Sequence, residues 1–293
     1  MNVRQALRGT GVAIITPFNK DLSVDFSALG KLIDFIIKDG VEYIVTLGTT
    51  GESPVLSKEE KADIIQFTCE QVNNRVPVVV GVGGNDSHAL VNELQSLPLD
   101  NAIAILSASP YYNKPSQEGL FQHYKLLAEA SPKPILLYNV PGRTGRNIAA
   151  ATTIRLAHEV ENIVGIKEAS GDMQQCMEIL RERPENFLVV SGDDALALPQ
   201  MACGMDGVIS VVANSFPKQF SELVRLCLQQ NYAAAKVIND SLMDAYHLMF
   251  SENNPAGVKA FLHEMKMIEN VMRLPVVPLS GALHMEVKKY LNK

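Results

Sequence analysis

Lys167 ends the short apolar run Asn162-Ile163-Val164-Gly165-Ile166, at the point where a buried strand should give way to solvent. Burial there disfavours an ammonium, and a neutral amine attacks carbonyl carbon, so the position suits Schiff-base chemistry. A lysine at a strand end is more often a solvated terminus or half of an ion pair, so its surroundings must decide. A period of two puts Ile163, Gly165 and Lys167 on one face, where the glycine is expected to leave empty volume beside the amine.

Other groups suited to small carbonyl acids fall at the ends of similar runs. Gly48-Thr49-Thr50-Gly51-Glu52 joins glycines that permit a tight turn to two hydroxyls and backbone N–H groups able to receive a carboxylate. The same residues would also serve as a loop that caps the next helix. Pro110-Tyr111-Tyr112-Asn113-Lys114-Pro115 sets two amphipathic rings on a loop, for packing or for a contact between subunits. Tyr138 opens Tyr138-Asn139-Val140-Pro141-Gly142-Arg143-Thr144-Gly145 and shares a pleat side with Leu136. If its strand neighbours that of Lys167, the phenol lies beside the amine; a tyrosine merely bonded to a carbonyl is the alternative.

The elements that must position these groups alternate along the chain. Apolar runs at residues 12–16, 43–47, 77–82, 102–106, 134–139, 163–167, 187–191 and 207–212 predict eight strands. Phe26, Leu29, Leu32, Ile33, Ile36 and Ile37 recur at helical spacing before Gly40, and Ser57-Lys58-Glu59-Glu60 reads as a capping box. Further helices are predicted at 116–130, 148–159 and 172–182. Eight strand-helix units over residues 1–230 predict an α/β fold, a (β/α)8 TIM barrel, rather than an open doubly wound sheet. Residues 231–293 form a C-terminal helical extension, with helices at 231–250, 256–268 and 281–291, packed on the barrel or on another subunit.

Composition narrows the chemistry. The 293 residues are 47% hydrophobic and 20% charged with a formal net charge of -6, an ordinary soluble globular composition. No basic run or stripe supports a nucleic-acid partner. No apolar stretch reaches the ~18 residues of a membrane span and the N-terminus carries no signal peptide, so a cytoplasmic protein is expected. Cys69, Cys176, Cys203 and Cys227 lack C-x-x-C spacing and are expected to be buried free thiols. Gly81-Val82-Gly83-Gly84-Asn85-Asp86 follows a strand, but Asp86 stands where a dinucleotide fingerprint needs its third glycine, leaving a tight strand-to-helix turn. His263-Glu264 lacks a second histidine, no Walker A or G-x-S-x-G motif occurs, and no metal site is expected among the six scattered histidines.

Five segments, Gly48-Thr49-Thr50-Gly51-Glu52-Ser53, Pro110-Tyr111-Tyr112-Asn113-Lys114-Pro115, Tyr138-Asn139-Val140-Pro141-Gly142-Arg143-Thr144-Gly145, Gly165-Ile166-Lys167-Glu168-Ala169 and Ser191-Gly192-Asp193-Asp194-Ala195, together resemble the dihydrodipicolinate synthase family. The resemblance covers nearly the whole chain. It implies a Schiff-base-forming condensation of pyruvate with L-aspartate 4-semialdehyde, in the diaminopimelate and lysine biosynthetic pathway, without an external cofactor. Lys167 would form the imine. Tyr138 would carry protons through Thr49 to a Tyr112 contributed by a neighbouring subunit of a homo-oligomer, in this family usually a dimer of dimers. Thr50 would receive the pyruvate carboxylate and Arg143 the semialdehyde's carboxylate, with Gly192 and Ile209 near the imine.

Sialic-acid lyases and sugar-acid aldolases share the lysine and tyrosine but lack Val-Pro-Gly-Arg-Thr-Gly at this loop. A catalytically silent barrel that senses pyruvate-like acids would not need Lys167, Tyr138, Thr49 and Tyr112 together. Ser53, Asn85 and Tyr111 match the inhibitor site of lysine-sensitive members, whereas Ala89 and Lys58 depart from it, so weak or absent inhibition by L-lysine is expected.

Overall fold

In the computed structural model, which describes residues 2–292, eight parallel strands close into a barrel in chain order. They are β1 Gly9–Ala13, β2 Tyr43–Thr46, β3 Val78–Gly81, β4 Ala104–Ala108, β5 Ile135–Asn139, β6 Ile163–Glu168, β7 Leu188–Ser191 and β8 Gly207–Ser210. β1 pairs with β2 through Gly11 and Tyr43 and with β8 through Gly9 and Gly207, so the sheet keeps no open edge. The predicted barrel is therefore the observed one. β1 begins earlier than expected because Gly9-Thr10-Gly11 carries no apolar signal although all three residues are buried.

Capping residues set the helix starts. The Phe26–Lys38 helix opens at Asp25, which accepts the N–H of Ala28, and turns Leu29, Leu32, Ile33 and Ile36 to the core. The Lys58–Val72 helix starts at Ser57 with both halves of the expected capping box. Asp86 accepts the N–H groups of His88 and Ala89 and so starts the Ser87–Ser96 helix. That cap explains an aspartate where a dinucleotide turn would need glycine. The helices Ser87–Ser96, Ala197–Ala202 and Pro217–Leu228 complete the alternation that sequence periodicity left unassigned.

Apolar packing forms two shells. Tyr43, Val79, Leu106, Leu136, Leu188 and Ile209 fill the barrel interior, and a larger shell separates the strands from the helices. Among the described residues no helix is long and apolar enough to cross a membrane. All four cysteines are free; Cys176 and Cys227 are buried, but Cys203 is exposed and Cys69 half-buried, contrary to expectation. Cys203 lies at the end of the short Ala197–Ala202 helix, where the chain has already reached the surface.

After β8 the chain continues through helices Tyr232–Phe250, Ala256–Glu264 and Gly281–Leu291. Two cations stitch this segment to the loop after β2. Lys259, fully buried, pairs with Glu52 at 2.5 Å and donates to the Val271 carbonyl. Arg273 forks onto Glu60 and also donates to the carbonyls of Leu22 and Val55. The Arg273 guanidinium holds the Glu60 carboxyl below its ordinary value.

Candidate active site

The register between β5 and β6 places Lys167 and corrects one expectation. Ile135 pairs with Ile163, but the next residue, Leu136, pairs with Gly165, so β6 carries an extra residue as a β-bulge. The bulge breaks the period of two. Ile163 therefore joins the outer shell, whereas Val164 packs against the barrel interior. Beyond it, Tyr138 and Lys167 are register partners on adjacent strands. The volume beside Gly165 is not empty: a Cβ there would stand 2.6 Å from the Leu188 carbonyl oxygen and 3.0 Å from Leu136 Cδ2. Gly165 allows tight strand packing instead.

Room for the lysine comes from Gly192. A Cβ at Gly192 would stand 2.8 Å from Lys167 Cε and 2.7 Å from Ala169 Cβ, so any side chain would displace the amine. Lys167 is 5% exposed, and its Nζ lies 4.3 Å from the Tyr138 ring centroid. No carboxylate among the described residues forms an ion pair with it. Its neighbour Glu168 points to the other face of the sheet, where it accepts from Asn139 Nδ2 at 2.9 Å, Gln175 Nε2 at 3.0 Å and Ser170 N–H at 2.7 Å. The pleat thus separates a lysine from a carboxylate that is adjacent in sequence.

A cavity of about 620 Å³ opens above the C-terminal strand ends, with Thr49, Thr50, Tyr138, Arg143, Lys167 and Gly192 on its wall. Thr49 and Thr50 belong to a 3-10 turn, Thr49–Gly51, anchored where Thr16 Oγ1 donates to the Gly51 carbonyl at 2.7 Å. Arg143 sits on the one-turn helix Pro141–Thr144 after β5. Two predicted residues lie elsewhere. Ile209 is buried in the barrel interior, and Val211 is the residue after β8 that reaches the cavity. Tyr112 does not line the cavity of its own chain; it is 89% exposed, with a φ of 72° that few residues other than glycine adopt.

The wall also takes residues of the C-terminal region that the sequence did not indicate. Met243, His247 and Phe250 follow the three- and four-residue spacing of one face of the Tyr232–Phe250 helix, a pattern ordinarily read as core. Asn254, 6% exposed, follows that helix; its Nδ2 donates to Thr50 Oγ1 at 3.0 Å, and its carbonyl accepts from Arg143 Nη2 at 3.5 Å. Below the wall, Asp194 Oδ2 accepts the N–H groups of Val211 and Val212, and burial pushes its carboxyl up to about 6. Chemically, the cavity offers an unpaired amine, a phenol, two hydroxyls and a guanidinium to a small substrate bearing carboxylates.

The chain matches the model of the Dihydrodipicolinate synthetase family over residues 6–293. It is 48% identical to the 4-hydroxy-tetrahydrodipicolinate synthase of Parabacteroides distasonis, across 98% of this chain and 97% of that protein. The crystal structure of dihydrodipicolinate synthase from Aquifex aeolicus superposes with a TM-score of 0.94 at 40% identity, covering 97% of both chains. The chloride-inhibited dihydrodipicolinate synthase from Acinetobacter baumannii, complexed with pyruvate, gives a TM-score of 0.95 at 40% identity over 98% of each chain.

Proposed function

The chain belongs to the dihydrodipicolinate synthetase family, and on that premise we propose a role for each residue of the cavity in the family reaction. The reaction is the condensation of pyruvate with L-aspartate 4-semialdehyde to 4-hydroxy-tetrahydrodipicolinate, a lyase step of lysine and diaminopimelate biosynthesis of the class I aldolase type. Lys167 Nζ attacks the pyruvate ketone, and loss of water from the carbinolamine leaves an imine. The imine acidifies the pyruvate methyl; the resulting enamine adds to the aldehyde carbon, and the substrate's own amine then displaces Lys167 as the ring closes.

Tyr138 moves the protons of these steps through its phenol, passing them through Thr49 to the Tyr112 of a second subunit. Thr50 binds the pyruvate carboxylate, and the Arg143 fork binds that of the semialdehyde. Gly192 keeps the space in which the lysine stem lies. Ile209 supports the floor from within the barrel. In this reading the working protein is a cytoplasmic dimer of dimers, with a catalytic barrel at residues 1–230 and the helical region 231–293 packed on it.

The observation that carries the reading is a buried lysine without a carboxylate partner, set over a tyrosine ring on the wall of a cavity that also holds Thr50 and Arg143. Borohydride reduction in the presence of pyruvate tests it. Peptide mass mapping should find the reduced adduct on Lys167; an adduct on another lysine overturns the assignment, and an active preparation without an adduct overturns the mechanism.

A further inference from the structure

We infer that Asn254 is a positioning residue that orients the Thr50 hydroxyl so that its proton faces the cavity, presetting the site for the carboxylate of the keto acid. The inference rests on the placement of the pyruvate carboxylate at Thr50. A threonine hydroxyl has one proton to donate and two lone pairs that accept. Asn254 Nδ2 donates to Thr50 Oγ1 at 3.0 Å, which fills one lone pair. Among the described residues no acceptor takes the Thr50 proton in return. Thr50 is 2% exposed yet stands on the cavity wall, so the direction still open to that proton is the cavity.

This polarity matters because the ligand group is an anion. A hydroxyl that spent its proton on a protein acceptor would turn lone pairs toward the incoming carboxylate. An amide donor removes that competition. The Asn254 backbone carbonyl meanwhile accepts from Arg143 Nη2 at 3.5 Å, so one residue of the C-terminal region touches both groups proposed to hold carboxylates. Asn254 Oδ1 is buried without a hydrogen-bond partner. An orphaned buried carbonyl is costly in any fold, and its retention fits a side chain held for what its amino group does.

The test is a comparison of polarity. Asn254→Asp has the same shape but only acceptors; it would draw the Thr50 proton to itself and add a negative charge beside the carboxylate. Asn254→Ala removes the donor and adds no acceptor. Pyruvate KM should rise about tenfold in Asn254→Ala and about a hundredfold in Asn254→Asp, with kcat at saturating pyruvate changed less than about twofold, because the contact is made equally in ground and transition states. In a Thr50→Val background, Asn254→Ala should add less than about twofold.

Equal effects of Asn254→Ala in both backgrounds, or Asn254→Asp no worse than Asn254→Ala, overturn the inference. An unchanged pyruvate KM in Thr50→Val alone overturns the placement of pyruvate, and this inference with it. Thermal melting and borohydride trapping at saturating pyruvate monitor the fold. If Asn254→Ala does not fold, Asn254→Ser carries the test, since its short side chain cannot reach Thr50.

Discussion

Lys167 and Lys259 are both buried, 5% and 0% exposed, and each Nζ lies 4.3 Å from an aromatic centroid, Tyr138 and Phe18 respectively. They differ in what else they meet. Lys259 meets Glu52 at 2.5 Å, and although burial pushes its amine down to about 8, that carboxylate holds it in a fixed pair. Lys167 has its sequence neighbour Glu168 turned through the sheet to Asn139 and Gln175, and only a cavity in front of it. Burial and a ring are therefore not what marks a reactive lysine. In the proposed roles the absence of a carboxylate and the presence of space set Lys167 apart: the strand pleat turns Glu168 away, and Gly192 leaves the room.

The largest effect separates the two lysines by function. Lys167→Ala should lower condensation by on the order of 10⁴-fold and remove the pyruvate adduct, yet leave unfolding free energy within about 1 kcal/mol, because no carboxylate is stranded. Denaturant melts and a turnover assay read both numbers. A strongly destabilised Lys167→Ala would show that the lysine has a structural partner and would break the contrast.

Lys259→Met should do the reverse. It leaves Glu52 buried without its cation and should cost about 3–5 kcal/mol of stability, while the folded fraction still traps pyruvate on Lys167. Adding Glu52→Gln should recover most of the loss, since the amide oxygen can still accept the Arg273 N–H that Glu52 now takes at 3.2 Å. Failure of the double variant to recover would mean that the pair does more than balance charge.

How much of this contrast is visible in the sequence depends on what each residue contacts. Lys167 stands out because it ends an apolar run, and the strand-end order, together with the family resemblance, points to residues of which six line one cavity. Lys259 gives no such signal: it sits in a helix that is buried from Ala256 to Leu262, and its partner lies more than two hundred positions away. The β6 bulge is equally silent, because both faces of a barrel strand are apolar and Ile163-Val164 reads the same in either register. Asn254 was missed since an asparagine before proline reads as a turn. Exposure of Cys203 depended on where a short helix ends.

A third buried base extends the comparison. His123 is 5% exposed, bonded at Nδ1 to Ser87 Oγ at 2.8 Å, with Nε2 unpartnered, and burial pushes it down to about 4. Among the described residues no carboxylate pairs with it, and burial keeps it neutral. Because the folded value lies below the ordinary 6.5, the unfolded chain binds more protons between these pH values. Its contribution is complete above about pH 6.5 and is lost as pH falls toward 4, up to about 3 kcal/mol. His123→Gln should flatten that part of the stability curve, measured by denaturant melts at successive pH values; an unchanged slope would assign the acid sensitivity to other groups.

The smallest signal concerns what serves Lys167 from outside its own chain. Tyr112 is 89% exposed and does not line the cavity of its own chain; in the proposed relay its phenol serves a second copy. Tyr112→Phe and Lys167→Ala should each be severely impaired alone. In a mixed dimer, one site combines the intact Lys167 of the first chain with the intact Tyr112 of the second. Random pairing makes about half the dimers mixed, each with one complete site of two, so co-expression should restore at most about a quarter of wild-type turnover. Restoration sharpens the contrast, since Lys259 would then need only its own chain and Lys167 two. Purified mixed dimers no better than the separate variants would place Tyr112 outside the relay, and would leave Tyr138 and Thr49 to pass protons to solvent through the cavity mouth.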